Sequence, residues 1–288
     1  MAKFSPSDAA LEGFRLTKEH PGVMLAWSAV YFGGILLIAL AMMATLGPQF
    51  IALAKKGQLT GADLETVGGL LAQSWPAFAL VLVMTAGLMS IITAGVLRLV
   101  LQPQVHGFAH LKIGREELRL TLANLACIAF YVGSLILAVV LTGAAGRSSP
   151  MAGGVAAVVV ITVAVWVGVR LALLLPSVFE TGRISFPEAW TRTRGHFWKL
   201  FGMIILAVIF YVIVWTLFSI IGLAVVELSG GEAALQDITR LTPLTAIAAM
   251  VTLVMQLLLQ ILQIVMIYAP FAVAYRDLGQ AAVTPGNP

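Results

Sequence analysis

Charge is what this chain has least of. Only 10% of its 288 residues are Asp, Glu, Lys or Arg, and 60% are hydrophobic; a soluble domain carries about 25% charged residues. Mean hydropathy is +1.00. That scarcity excludes the soluble classes and points to an integral membrane protein. Cysteine is nearly absent as well. Cys127 stands alone in an apolar run, which removes any disulfide framework or paired-thiol metal site and makes it a packing residue. Familiar catalytic motifs are missing too: there is no GxxxxGK phosphate loop, no strand-flanked GxGxxG, no GxSxG nucleophile elbow and no close carboxylate pair in a cleft-forming context. The chain is therefore expected not to be an enzyme and to use no cofactor and no metal.

Long apolar runs are what it has instead. A hydrocarbon core about 30 Å thick takes about 20 helical residues, and six runs of that length carry no charge near their centres: 22–46, 75–97, 119–144, 152–175, 200–226 and 243–275. The first is too long for the apolar core of a signal peptide, about 7–15 residues, and is taken as a retained span. The expected fold is all-α, a polytopic bundle of six transmembrane helices forming one integral membrane domain over 1–288.

The few charges are distributed unevenly. With both termini, 98–119 and 170–199 on one side, 13 of the 17 Lys and Arg residues gather there, leaving Lys55, Lys56, Arg147 and Arg240 opposite. The positive-inside rule makes that side, and both termini, cytoplasmic. The net charge of +4 thus speaks to membrane topology, and no nucleic-acid partner is expected.

Two segments repeat. "EGFRLTKEH" (Glu12 to His20) aligned with "EAWTRTRGH" (Glu188 to His196) pairs Glu12 with Glu188, Gly13 with Ala189, Phe14 with Trp190, Thr17 with Thr193, Lys18 with Arg194 and His20 with His196. Each segment runs straight into a span. Spans two, four and six close near Pro103, Pro176 and Pro270, where a residue without an amide donor ends or kinks a helix. Arg98 and Arg170 precede the first two prolines and are placed to snorkel to headgroups. The pattern gives three pseudo-repeated α-hairpins, about 5–103, 104–180 and 181–277, each opened by a cytoplasmic amphipathic elbow helix, although "KIGREELRL" fits that role only loosely in the middle unit.

The third elbow, "SFPEAWTRTRGHFWKL" (185–200), shows what such a segment is for. Ser185 and Glu188 have capping-box spacing. Phe186, Trp190, Phe197 and Phe201 fall on one side at helical spacing, with Glu188, Arg192 and Lys199 elsewhere. That pattern predicts an interfacial helix with rings at headgroup level and cations toward anionic lipid, turning near Gly195 into the fifth span. The residues assigned to lipid or partner contact are Glu12, Phe14, Lys18, His20, Arg98, Arg170, Glu188, Trp190, Arg192, Arg194, His196 and Trp198. The expected partners are the phospholipid bilayer, anionic lipid headgroups and a membrane protein.

"RLALLLPSVFETGRISFPEAWTRTRGHFWKLFG" resembles the membrane domain attached to bacterial glycerophosphoryl diester phosphodiesterases and its stand-alone multi-span relatives. The resemblance covers spans four and five well and the rest by topology. It implies a bacterial inner-membrane location and an accessory place in glycerophospholipid metabolism. In the fused enzymes catalysis belongs to a separate soluble barrel, so phosphodiesterase activity is not carried over.

Within the spans the polar features are sparse. Gln256, Gln260 and Gln263, at i, i+4 and i+7 of span six, either line a polar path or bond to a neighbouring helix. Ala86, Ser90 and Ala94 form a small-residue stripe suited to close helix approach. His106 and His110 have the spacing of a helical metal pair, but "HGFAH" lacks the metallopeptidase glutamate. No span has an ionisable residue near its centre, which counts against an ion-coupled carrier. Three functions stay open: an organising or regulatory protein acting through its elbows, a transporter or channel-like protein for a small or amphipathic solute, and an accessory to glycerophospholipid metabolism.

Overall fold

The computed structural model describes residues 5–54, 69, 72–104, 108–147, 149–231 and 242–283. Every regular element among them is helical. In chain order these are α1 (Pro6–Glu19), α2 (Pro21–Ala54), α3 (Trp75–Leu101), a 3₁₀ turn (Phe108–His110), α4 (Arg115–Gly146), α5 (Pro150–Leu171), α6 (Leu174–Thr181), α7 (Phe186–Arg192), α8 (Phe197–Leu228) and α9 (Pro243–Val283). Six of these helical stretches are long and apolar enough to cross a membrane, starting at Pro21, Trp75, Phe108, Pro150, Phe197 and Pro243.

Helix starts obey local chemistry. The hydroxyls of Ser5, Ser149 and Ser185 accept from Asp8, Ala152 and Glu188 backbone N–H groups, each with a proline in the first turn where no donor is required. The expected capping box at Ser185 is half formed. Ser185 caps as anticipated, but the Glu188 carboxylate turns to Arg192, at 2.9 Å, because a cation one helical turn away is the stronger partner.

The closing prolines behave in three different ways. α3 stops at Leu101, just before Pro103. α5 stops already at Leu171, and Pro176 lies in the first turn of α6, where its missing donor costs nothing. Pro270 does not end its span: α9 continues through it to Val283. The middle hairpin also differs from the expectation, since Arg115 begins α4 and the helix runs unbroken into the span, without a separate elbow helix.

Packing is concentrated at one end of the bundle. Trp27, Ile92, Val96, Leu97, Leu120, Leu173, Leu174, Leu200, Met203 and Val265 belong to one buried cluster. The opposite halves of the same helices expose Leu36, Leu40, Leu135, Val139, Val155, Ile161, Ile220 and Leu244. Exposed apolar side chains are the ordinary outer surface of a protein dissolved in hydrocarbon, where lipid is as apolar as leucine. α1 completes the packed end. Its buried face, Ala9, Ala10, Gly13 and Leu16, lies on α9 and α8, and a Cβ on Gly13 would stand 2.8 Å from the Met266 Cα. Phe14 meets Phe210 edge to face at 5.7 Å.

Candidate functional site

The packed end holds two arginine centres. Arg98, near the end of α3, is 1% exposed. Its Nη1 donates to the His110 carbonyl at 2.6 Å, and Nη2 donates to Glu116 Oε2 at 2.9 Å and Glu117 Oε1 at 2.6 Å. The guanidinium also lies 5.5 Å from the Phe179 ring centroid. This overturns the expectation that Arg98 snorkels to headgroups. The two glutamates opening α4 reach it first, and a buried cation keeps its charge when carboxylates and a carbonyl replace water.

The turn beside it is strained to serve this arrangement. Ala109 and His110 both have positive φ, at 49° and 57°, a region that side chains with a Cβ rarely adopt. Their carbonyls are thereby aimed inward, Ala109 O accepting from Trp27 Nε1 at 2.8 Å and His110 O from Arg98. Gly95 makes room, since a Cβ there would lie 2.9 Å from Leu111 and 3.1 Å from Trp27. His106, the other half of the histidine pair, lies outside the described residues. Among the described residues no group of three His, Cys, Asp or Glu side chains is gathered for a metal.

Arg170, near the end of α5, has a different environment. Its guanidinium lies 5.7 Å from the Trp166 ring centroid and 5.5 Å from that of Trp190, and the two indoles meet edge to face at 5.1 Å. Nε and Nη1 are buried without a hydrogen-bond acceptor. Each such donor costs about 1–3 kcal/mol. Thr193 ties the elbow to this helix by donating to the Arg170 carbonyl at 3.2 Å.

The other sequence-assigned residues divide into groups. On α7, Glu188 pairs with Arg192, whose guanidinium stands 4.7 Å from the Tyr275 ring centroid of α9. The chain then turns through Gly195, at φ 82°, so the aromatic stripe is split, with Phe186 and Trp190 on α7 and a stacked Phe197–Phe201 pair on α8. Arg194, Trp198 and Lys199 are exposed, while the buried Nδ1 of His196 has no partner. Glu12, Phe14, Lys18 and His20 form a separate group on and just after α1, next to α8 and α9 rather than beside Arg170. Glu12 lies 4.0 Å from Arg15, and Lys18 is exposed. Arg15 bonds to Glu19 at 3.0 Å, and that bond with the nearby carboxylate charges raises its pKa above the ordinary arginine value.

Between the hairpin α4–α5 and the pair α8–α9 lies an apolar cleft of about 600 Å³, lined by residues including Tyr131, Ser134, Ala164, Gly168, Phe201 and Tyr268. A second cavity of about 440 Å³, lined by Phe186, Pro187 and Trp190, shares Cys127, Phe130 and Leu171 with the first. None of the three glutamines lines either cavity. Gln256 is exposed, and Gln263 accepts from Tyr211 of α8 at 3.3 Å, a helix-to-helix bond. Ala86, Ser90 and Ala94 are all buried, and Ser90 accepts from Asn124 of α4 at 2.8 Å.

Sequence reasoning missed Glu116, Glu117, Trp27 and Trp166. Two adjacent carboxylates at the head of an apolar run were the available signal for the first pair, since charge at a span end needs a partner. Neither a protein-family model nor a curated protein nor a solved structure matches this chain.

Proposed function

We propose that this chain is a multi-pass protein of a bacterial inner membrane with no catalytic site of its own, organising or regulating its surroundings by engaging anionic lipid headgroups, or a partner protein, through α1 and α7 on the cytoplasmic face. The observation that carries this reading is the head of α8. There Trp198, 78% exposed, stands with exposed Lys199 and Arg194 at the edge of an apolar flank, the combination that settles at a headgroup boundary. The positive-inside count supports the orientation. The resemblance of 170–202 to phosphodiesterase membrane domains, read from the sequence, is what suggests an accessory place in glycerophospholipid metabolism. A second reading, passage of an amphipathic solute, is favoured by the apolar cleft beside α5.

In nanodiscs of mixed phosphatidylglycerol and phosphatidylcholine, the wild type should gather the anionic lipid around itself, as measured by mass spectrometry of the recovered discs. The double variant Trp198→Ala, Arg194→Gln should lose most of that enrichment and still insert; unchanged enrichment defeats the elbow reading. For orientation, Cys127→Ser with Lys199→Cys should react with an impermeant maleimide in inverted vesicles and not in spheroplasts. The reverse pattern defeats the topology.

A further inference from the structure

Two features meet along α5. At one end is a cation without a counter-charge: among the described residues no carboxylate pairs with Arg170, whereas Arg98 has Glu116 and Glu117, and Arg192 has Glu188. Two of its nitrogens are buried with no acceptor, and its faces meet Trp166 and Trp190. Indole rings leave the guanidinium fully charged and weakly hydrated, so it keeps its attraction for an oxyanion.

The second feature begins at the same place. Trp190 lines the smaller cavity, and Leu171, the residue after Arg170, lines both cavities. From there the wall runs apolar along α5 to Val160. At 1.5 Å per residue, Val160 to Leu171 is roughly 16 Å along the axis, about one leaflet of a hydrocarbon core about 30 Å thick. A free phosphate has no use for such a wall, and a neutral hydrocarbon none for the guanidinium.

We infer that this cleft holds one acyl chain of an anionic phospholipid whose phosphate sits on Arg170 beside Trp166 and Trp190. The inference rests on the lipid-engaging reading and gives it a specific ligand and seat. The phosphate meets the guanidinium from its accessible side, Arg170 being only half-buried, and answers a charge that no carboxylate among the described residues pairs with. The acyl chain fills the space between α4–α5 and α8–α9, lined by Ala164, Tyr131 and Phe201. The exposed cations Arg194 and Lys199 attract the anionic surface in general, and Arg170 selects one molecule from it.

The full chain, delipidated in detergent and titrated with palmitoyl-oleoyl phosphatidylglycerol or the matching phosphatidylcholine, is read by native mass spectrometry. One phosphatidylglycerol should remain bound per chain in preference to phosphatidylcholine. Arg170→Gln should weaken that binding by about tenfold or more, the worth of one charge-assisted hydrogen bond. Ala164→Phe, which fills the cleft and leaves Arg170 intact, should weaken it comparably, and Arg147→Gln, at the exposed far end of α4, should leave it unchanged. If Arg170→Gln does not fold, Ala164→Phe alone decides: full retention of the lipid in that variant overturns the proposal. So does displacement of the lipid by inorganic phosphate, or equal binding of the two lipids. Surface enrichment that responds to Trp198→Ala, Arg194→Gln while the tight lipid ignores Arg170→Gln overturns the seat and leaves the elbow reading standing; absence of any anionic preference removes both.

Discussion

Arg98 and Arg170 occupy matching places in the sequence, each a few residues before a span-closing proline, and the fold treats them oppositely. Arg98 is enclosed by the strained 108–110 turn and by two carboxylates from α4. Arg170 is given two indoles and no anion, and two of its nitrogens lack acceptors. The path of the chain beyond each helix makes the difference. After α3 the chain returns with Glu116 and Glu117 at the head of the next span; after α5 it detours through α6 and α7 and presents Trp190. A cation satisfied from within is a structural joint; Arg170 keeps two nitrogens without acceptors, and its chain neighbours Val169 and Leu171 line the apolar cleft.

The largest effect separating the two should come from Arg98→Leu. It leaves Glu117, 4% exposed, as an uncompensated buried charge, and about 3–5 kcal/mol of stability should be lost, measured by denaturant unfolding in micelles. A loss below about 1 kcal/mol would show that the joint is not structural. Next comes the split between its partners. Glu117→Gln should cost about 1–3 kcal/mol, while Glu116→Gln, half exposed, should cost under about 1 kcal/mol; equal costs would mean that burial does not set the strength of the pairing.

Arg170→Met should change stability by less than about 1 kcal/mol, because removing two unsatisfied donors offsets the lost cation–π contacts. A loss as large as that at Arg98 would erase the contrast. Smallest is the glutamine pair of α9. Gln263→Leu gives up the bond to Tyr211 and should cost about 0.6 kcal/mol; Gln256→Leu, on the exposed surface, should be neutral or slightly stabilising in the same assay.

Much of the fold was legible because hydrocarbon imposes a length and forbids charge. The expected runs 22–46, 75–97, 119–144, 200–226 and 243–275 each fall within one helix, and 152–175 crosses the break at 172–173 between α5 and α6. Ser185 was legible as a cap and Gly195 as a turn, since both depend on neighbours a few residues away. Pro270 was misleading. Proline weakens a helix locally, but here the surrounding contacts, with Ala269, Ala272 and Val273 buried on the same stretch, carry α9 through it. The fate of Arg98 was illegible for a related reason: periodicity says that an arginine stands at the end of a span, and only the path of the intervening loop says whether water, lipid or a glutamate is nearest.

Amino-acid order by itself determined that six helices are apolar and long enough to cross a bilayer, and where several of them start, because those outcomes come from transfer free energies and local backbone hydrogen bonds. Tertiary structure alone decided which cations are neutralised, which aromatic rings stack on them, and that an apolar cleft opens along α5. Those outcomes depend on residues far apart in the chain arriving within a few ångströms of one another, and no short-range pattern encodes that distance.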